Sequence, residues 1–268
     1  KVLLDNGQIS LSNANIELNS SKINGDFALR FMQDWTSFSD FENSVVLVAD
    51  IPKAEVYKKD LVQLVPALNK YLPEKTNLVA DLRGTLSNLK ANKLYVQAGK
   101  STKIDITGNI KGLPKINQTL FDLYVNNLQT NTSDLKTLLP FVKLPKQIEN
   151  AGNVKFKGTY KGYIQDFYAN GILTTDNLGT LDADVHLKFP KGQQPIYNGN
   201  IVAKSLNLAE LTGNSKLLGT VDLDIDANGA GFDVKNINTK LVGKIRNFYF
   251  NGFVFKEIDI NGILDKKK

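Results

Sequence analysis

Apolar and polar residues alternate with a period of two along much of the chain. In Leu181-Asp182-Ala183-Asp184-Val185-His186-Leu187-Lys188-Phe189 every second side chain is apolar, and Val221-Asp222-Leu223-Asp224-Ile225-Asp226-Ala227 repeats the pattern. Ile104-Asp105-Ile106-Thr107 and Ile258-Asp259-Ile260-Asn261 are shorter copies. Neighbouring side chains of a strand point to opposite faces, so each segment predicts a strand with one dry and one wet face, the habit of antiparallel sheets.

Turn chemistry points the same way. Asn-Gly pairs begin at Asn6, Asn24, Asn170, Asn198, Asn228, Asn251 and Asn261, and this dipeptide is the favoured centre of a two-residue hairpin. A turn at Asn251-Gly252 sets Phe250 opposite Phe253 and Phe248 opposite Phe255, with Tyr249 and Val254 on the other face. A turn at Asn6-Gly7 pairs Leu4 with Ile9 and Val2 with Leu11. At Asn24-Gly25 the same construction opposes Ile23 and Asp26, a mismatch that argues against a turn there.

Two segments break the alternation. Lys59–Pro66 and Ser133–Pro140 space their apolar residues by three and four, which predicts a turn or two of helix broken at the proline. Asp60 and Asp134 stand where an N-cap is expected.

These helices mark an internal repeat. Val46–Leu61 aligns without gaps to Leu120–Leu135, an offset of 74, and Ile196–Leu211 follows after a further 76. After each window comes a strand ending in glycine, at Leu82-Arg83-Gly84, Phe156-Lys157-Gly158 and Ile225–Gly229, and Pro114 and Pro190 close the first two copies. The expected organisation is residues 1–45 as the end of a preceding copy, then copies at 46–119, 120–195 and 196–268 in one elongated domain. Units that pack only on their neighbours form quasi-one-dimensional arrays. The expected fold is mostly β: an elongated array of antiparallel strands curved into a U-shaped groove, with a few short helices. Twist accumulates along such a sheet. Its apolar faces then either line an open trough or close onto a second layer as an ordinary core.

Composition narrows the chemistry. No cysteine excludes thiol nucleophiles, disulfides and zinc or iron–sulfur clusters built on thiolates, and one histidine excludes paired imidazole ligands. The longest unbroken apolar run is Val45–Ala49, far short of the roughly 18–20 residues of a membrane span. The net charge of +6 comes mainly from lysine and is not interleaved with stacking aromatics, which argues against nucleic acid. The start at Lys1 and the finish at Lys266-Lys267-Lys268 are those expected of a piece of a longer protein.

The run Asn153–Phe167, NVKFKGTYKGYIQDF, resembles the G-x-v-x-f-x-G-x-x-x-G strand pair of the TamB family, the inner-membrane component of the translocation and assembly module. Gly179–Val185 and Leu218–Leu223 resemble it as well. TamB belongs to the AsmA-like bridge-type lipid-transfer proteins, and the likeness extends from about Val45 to Leu264. The resemblance implies a taco-like β-groove in the periplasm of a diderm bacterium and an inner-membrane anchor in the parent protein. It also implies phospholipid movement to the outer membrane in support of outer-membrane assembly. The implied partners are phospholipid and an Omp85-type barrel of the TamA or BamA kind, the latter bound through segments outside this chain.

A lipid conduit also has a physical rationale. Burying one methylene is worth about 0.8 kcal/mol, so a tight pocket for a chain of about 15 would trap it by roughly 12 kcal/mol. A trough of near-equivalent aliphatic positions lets the chain slide instead. The expected lining is Val154, Phe156, Leu181, Ala183, Val185, Leu187, Phe189, Val221, Leu223, Ile225, Phe248, Phe250, Phe253 and Phe255, with headgroups at an open edge near lysines.

Other sites are weaker. Asp222, Asp224 and Asp226 suggest calcium, but Ala227 stands where an EF-hand needs glycine and the distal glutamate is missing, so a solvated face paired with lysines is expected. His186 is expected to be exposed. No nucleophile elbow, P-loop or dinucleotide fingerprint is present, and neither an enzyme nor a cofactor is expected. The alternative to a conduit is a structural or adhesive rod with sealed apolar faces.

Overall fold

The computed structural model describes residues 1–5, 7–64, 69, 73–138, 150–232 and 236–265. The chain is mostly β with a few short helices, and it divides into two compact units. The first holds Lys1–Gln129 and Thr137–Pro140, the second Thr130–Lys136 and Phe141–Lys268.

The first unit is built from β1 (Val2–Leu4), β2 (Gln8–Leu18), β3 (Ser21–Phe31), β4 (Val45–Tyr57), β5 (Lys75–Thr85), β6 (Asn88–Ala98), β7 (Thr102–Lys111) and all but the last two residues of β8 (Leu120–Asn131). Each strand pairs antiparallel with the next. A 3-10 turn, Trp35–Asp40, and α1 (Phe41–Ser44) connect β3 to β4, and α2 (Lys58–Leu64) follows β4. The alternation puts Ile23, Phe27, Leu47, Leu78 and Leu82 on one face, around a buried row of Ala49, Ile51, Ala54, Val56 and Ala80. Leu61 of α2 packs onto that cluster, so the helix caps one end of the apolar face.

The second unit contains α3 (Thr132–Leu138), which crosses the unit boundary, and then β9 (Asn153–Tyr163), β10 (Asp166–Thr175), β11 (Gly179–Lys188) and β12 (Ile196–Asn207). After them come α4 (Leu208–Thr212), β13 (Leu218–Ala230), β14 (Asn238–Phe250) and β15 (Phe253–Asp265). Again every pair is antiparallel and sequential. A strand running into a helix starts at Val45, at Leu120 and at Ile196, and three plain strands follow each one.

The hairpin register at Asn251-Gly252 is the expected one: Phe250 faces Phe253, Phe248 faces Phe255 and Tyr249 faces Val254. Val2 and Leu4 likewise face Leu11 and Ile9, while Asn6 itself lies outside the described residues. The other Asn-Gly pairs do not make turns. Asn24-Gly25, Asn170-Gly171, Asn198-Gly199, Asn228-Gly229 and Asn261-Gly262 all lie inside strands.

The reason is visible at Gly171. It has φ +148°, and a Cβ built there would stand 2.2 Å from the carbonyl oxygen of Lys157 and 2.6 Å from the Cα of its partner Gly158. Only a residue without Cβ permits this approach of two strands, which is how glycine lets a sheet bend.

The helices start differently from expectation. Asp60 is the third residue of α2, not its cap, and is buried. Its Oδ2 accepts from the amides of Ser20 and Ser21 and from the Ser21 hydroxyl, tying the helix to the β2–β3 turn. For α3 the cap is Asn131, whose Oδ1 accepts from the amide of Asp134 at 2.8 Å. Asn207 serves α4 in the same way. Pro66 and Pro140 lie outside the described residues.

Candidate functional site

The second unit carries the expected lining, and its registers can be followed strand by strand. Phe156, Leu173, Leu181, Ala203, Leu223, Ile245 and Ile258 are consecutive partners from β9 to β15. The adjacent row runs Gly158, Gly171, Ala183, Ile201, Ile225, Gly243 and Ile260. The next runs Tyr160, Ala169, Val185, Gly199, Ala227, Leu241 and Gly262. Rows this regular need one parity to hold across every strand, since a slip of one residue would turn a strand over. At about 4.8 Å per strand step, each row is roughly 29 Å long.

This inner face is neither sealed nor fully open to water. Phe156, Leu181, Ala183, Val185, Leu187, Leu223, Ile225 and Phe248 are half-buried, whereas Phe250, Phe253 and Phe255 at the β14–β15 hairpin are exposed. Phe248 and Phe250 have ring centroids 5.7 Å apart, and Phe250 and Phe255 6.5 Å. Phe189 lies just past β11, where it stacks with Phe167 and meets Phe232.

Two of the expected lining residues are core instead. Val221 is 2 % exposed, and Val154 packs with Ala151 and Leu178 beneath Leu173 and Leu211 of α4. The cause is position: Val154 lies near the start of β9, within reach of α4.

Sequence reading missed Tyr160, Phe167, Leu173, Tyr197, Ile201, Leu241, Ile245 and Ile260. Glycines or adjacent apolar pairs such as Ile201-Val202 blur the alternation of several of their strands, and carrying parity over from β11 and β13 would have found them. Tyr160 stacks on Phe167 at 4.6 Å and donates to the Tyr163 carbonyl; burial pushes its hydroxyl pKa up.

The outer face holds the charges, including the strand lysines of this unit, so those lysines face away from the apolar rows and do not rim them. The aspartates of β13 are individually engaged, by asparagine, arginine and backbone more than by lysine. Asp222 accepts from the Ser205 amide at 2.6 Å and from Asn247. These bonds hold its carboxyl below the ordinary range. Ser205 sits at φ 51° in a register break of β12, so Asp222 captures the amide that the bulge displaces from the ladder. Asp26 does the same for Asn13 in β2, at 2.6 Å. Asp224 meets Asn200 and Arg246, and Asp226 meets Asn200. Among the described residues no cluster of histidine and carboxylates is arranged to hold a metal ion.

His186 is not freely exposed as expected. Its Nε2 is 2.6 Å from Asp166 Oδ1, its ring stacks on Tyr168 at 4.2 Å, and Lys188 reaches the other Asp166 oxygen at 3.0 Å. His186 and Lys188 together hold the Asp166 carboxyl below the usual range. Register explains the cluster, because Tyr168 faces His186 and Asp166 faces Lys188 across β10 and β11.

No described helix is long and apolar enough to cross a membrane. Compared with known proteins, the chain matches no family model, no curated protein and no solved structure.

Proposed function

We propose that the chain is a segment of a periplasm-spanning envelope protein of the TamB kind, whose apolar β-face carries phospholipid acyl chains between the inner and outer membranes. The observation that supports this reading is the set of apolar rows across β9–β15, unbroken in register and half-exposed along most of their length. A sealed rod would bury the larger side chains of the rows, of which Phe156, Leu181, Val185, Leu223 and Ile225 stay half-exposed although Ala203 and Ala227 are buried. With many similar contacts side by side, a bound chain finds no single deep site, and glycines in the rows keep the surface shallow. The charged outer face keeps the same sheet soluble. Location, the direction of transport and the Omp85-type partner rest on the resemblance of Asn153–Phe167 and its copies.

Lipid binding is tested by offering the protein a fluorescent fatty acyl chain in water and titrating with unlabelled phospholipid. Saturable uptake, lost when Leu223 is replaced by Asp, supports the conduit. A protein that takes up no acyl chain at any concentration supports the sealed rod.

A further inference from the structure

The connection from β3 to β4 differs from its internal counterparts. It spans 13 residues, 32–44, against 8 for the β7–β8 connection and 7 for the β11–β12 connection. Within it Met32, Trp35, Phe38 and Phe41 recur at every third residue. Side chains three apart eclipse in a 3-10 turn, and Trp35–Asp40 is one, so this period lines them up as a ridge. The shorter connections hold no such series, and their one aromatic residue, Phe189, turns in to stack on Phe167.

The ridge is firmly held and faces outward. Trp35 and Phe38 stack with ring centroids 6.2 Å apart, and Phe38 and Phe41 with centroids 6.0 Å apart. Beneath them the buried Phe31 meets Trp35 at 4.8 Å and Phe38 at 5.1 Å. The Asp34 carboxylate accepts from the amide and the hydroxyl of Thr36, and Asp40 accepts from the Asn43 side chain. The Met32 amide donates to the Ser44 carbonyl and closes the base of the loop. Held in this way, Met32 is still 60 % exposed, Trp35 40 %, Phe38 41 % and Phe41 37 %. This exposure is not that of a chain end. β1 and β2 stand between the ridge and the first residue in strand order, and the Ser87 amide of the β5–β6 turn donates to the Glu42 carbonyl on the other side.

Charge identifies the occupant. Residues 32–44 carry Asp34, Asp40 and Glu42 and no lysine or arginine, in a chain of net charge +6. The two shorter connections carry only Lys115 and Lys191. Exposed tryptophan and phenylalanine settle at the boundary between a bilayer and water. Ammonium groups are drawn both to aromatic ring faces and to carboxylates. Rings and carboxylates side by side therefore suit the outward ammonium of a zwitterionic headgroup and repel an anionic one.

We propose that the ridge from Met32 to Phe41 docks on the surface of a zwitterionic lipid bilayer, its apolar side chains among the headgroups and Asp34, Asp40 and Glu42 against choline or ethanolamine ammonium groups. The site lies in the first unit and stands whether or not β9–β15 carries acyl chains.

Trp35 is the sole tryptophan, so its fluorescence reports on the ridge alone. The test titrates the whole chain with phosphatidylcholine vesicles. Emission is expected to move to shorter wavelength and saturate by millimolar lipid, and phosphatidylcholine brominated on its acyl chains should quench it. Replacing half of the lipid by phosphatidylglycerol should raise the half-saturating lipid concentration about fivefold, the effect of roughly one charge at an anionic leaflet. The net charge of +6 acting alone would give the reverse. Met32→Ser leaves the rings packed on Phe31 and should raise the half-saturating concentration roughly tenfold, while Glu42→Lys should abolish the preference for zwitterionic lipid. No shift at millimolar phosphatidylcholine overturns the proposal, as does a shift that brominated lipid fails to quench. Tighter binding to the vesicles with phosphatidylglycerol overturns it in favour of general attraction to a basic chain. A shift with an amphipathic leucine–lysine peptide but none with vesicles overturns it in favour of a protein partner. A shift that follows protein concentration without lipid, together with a dimer in sedimentation, overturns it in favour of a second copy. Uptake of acyl chains with Trp35 unmoved overturns the ridge proposal and leaves the conduit reading in place.

Discussion

The close strand approach made at the mid-strand glycines is open to direct attack at Gly171. Alanine there would put a Cβ 2.2 Å from the Lys157 carbonyl oxygen and 2.6 Å from the Gly158 Cα, in a residue at φ +148°. The backbone region alone costs about 1–3 kcal/mol for a residue with a Cβ. Relieving the contact requires β9 and β10 to part by about an ångström, which weakens one or two ladder hydrogen bonds worth roughly 0.5–1.5 kcal/mol each. Gly171→Ala is therefore expected to destabilise the protein by about 2–5 kcal/mol. The control is Gly192→Ala, at φ +73° with no atom within 4 Å of the added Cβ. It should cost only the backbone preference, about 1–2 kcal/mol. Urea unfolding followed by circular dichroism gives the energies, and hydrogen exchange places the damage in β9–β10. Because parting the strands once makes room for both groups, Gly158→Ala on top of Gly171→Ala should cost less than it does alone. A Gly171→Ala protein within about 0.5 kcal/mol of the parent, the range of an ordinary surface change, would refute the reasoning.

Other positions give independent checks. Leu223→Asp removes a half-buried side chain from the middle of the apolar rows; a loss of about 1–2 kcal/mol with the fold retained, but with acyl-chain binding abolished, is expected by thermal unfolding and titration. Joint loss of fold and binding would instead indicate a sealed core. Asp222→Ala frees the bulge amide of Ser205 and should cost about 1–2 kcal/mol, with faster exchange at Ser205. The serine bonds hold the Asp60 carboxyl below its ordinary value, so its contribution is complete above the unfolded pKa and fades as pH falls through the lower folded one. Urea midpoints measured downward from pH 5 should show an acid-side drop over the β2–β3 and α2 region that Asp60→Asn reduces, and an unchanged profile would remove Asp60 from that role.

The strands and their faces were legible because one property, alternation, decides them in a single layer of sheet. The register at Asn251-Gly252 was legible for the same reason: four phenylalanines had only one way to share a face. The mid-strand Asn-Gly pairs were not, since the dipeptide states only that positive φ is tolerated. Whether that freedom makes a turn or admits a neighbouring strand depends on residues across the ladder, such as Lys157 for Gly171. Asp60 misled as a cap because its partners, Ser20 and Ser21, lie about 40 residues earlier in the chain. Within the lining, residues in uninterrupted alternation such as Leu181–Leu187 were found, and those beside glycines, such as Tyr160 and Leu241, were found only through their partners.

The central claim is that the half-exposed face of β9–β15 holds acyl chains. Its most direct test is mass spectrometry of lipids extracted from protein purified without detergent. The account predicts phospholipid at a reproducible stoichiometry, lost when a charge is placed at Val185 or Leu223. A stable protein that emerges free of lipid would contradict it and leave the face as part of a structural rod.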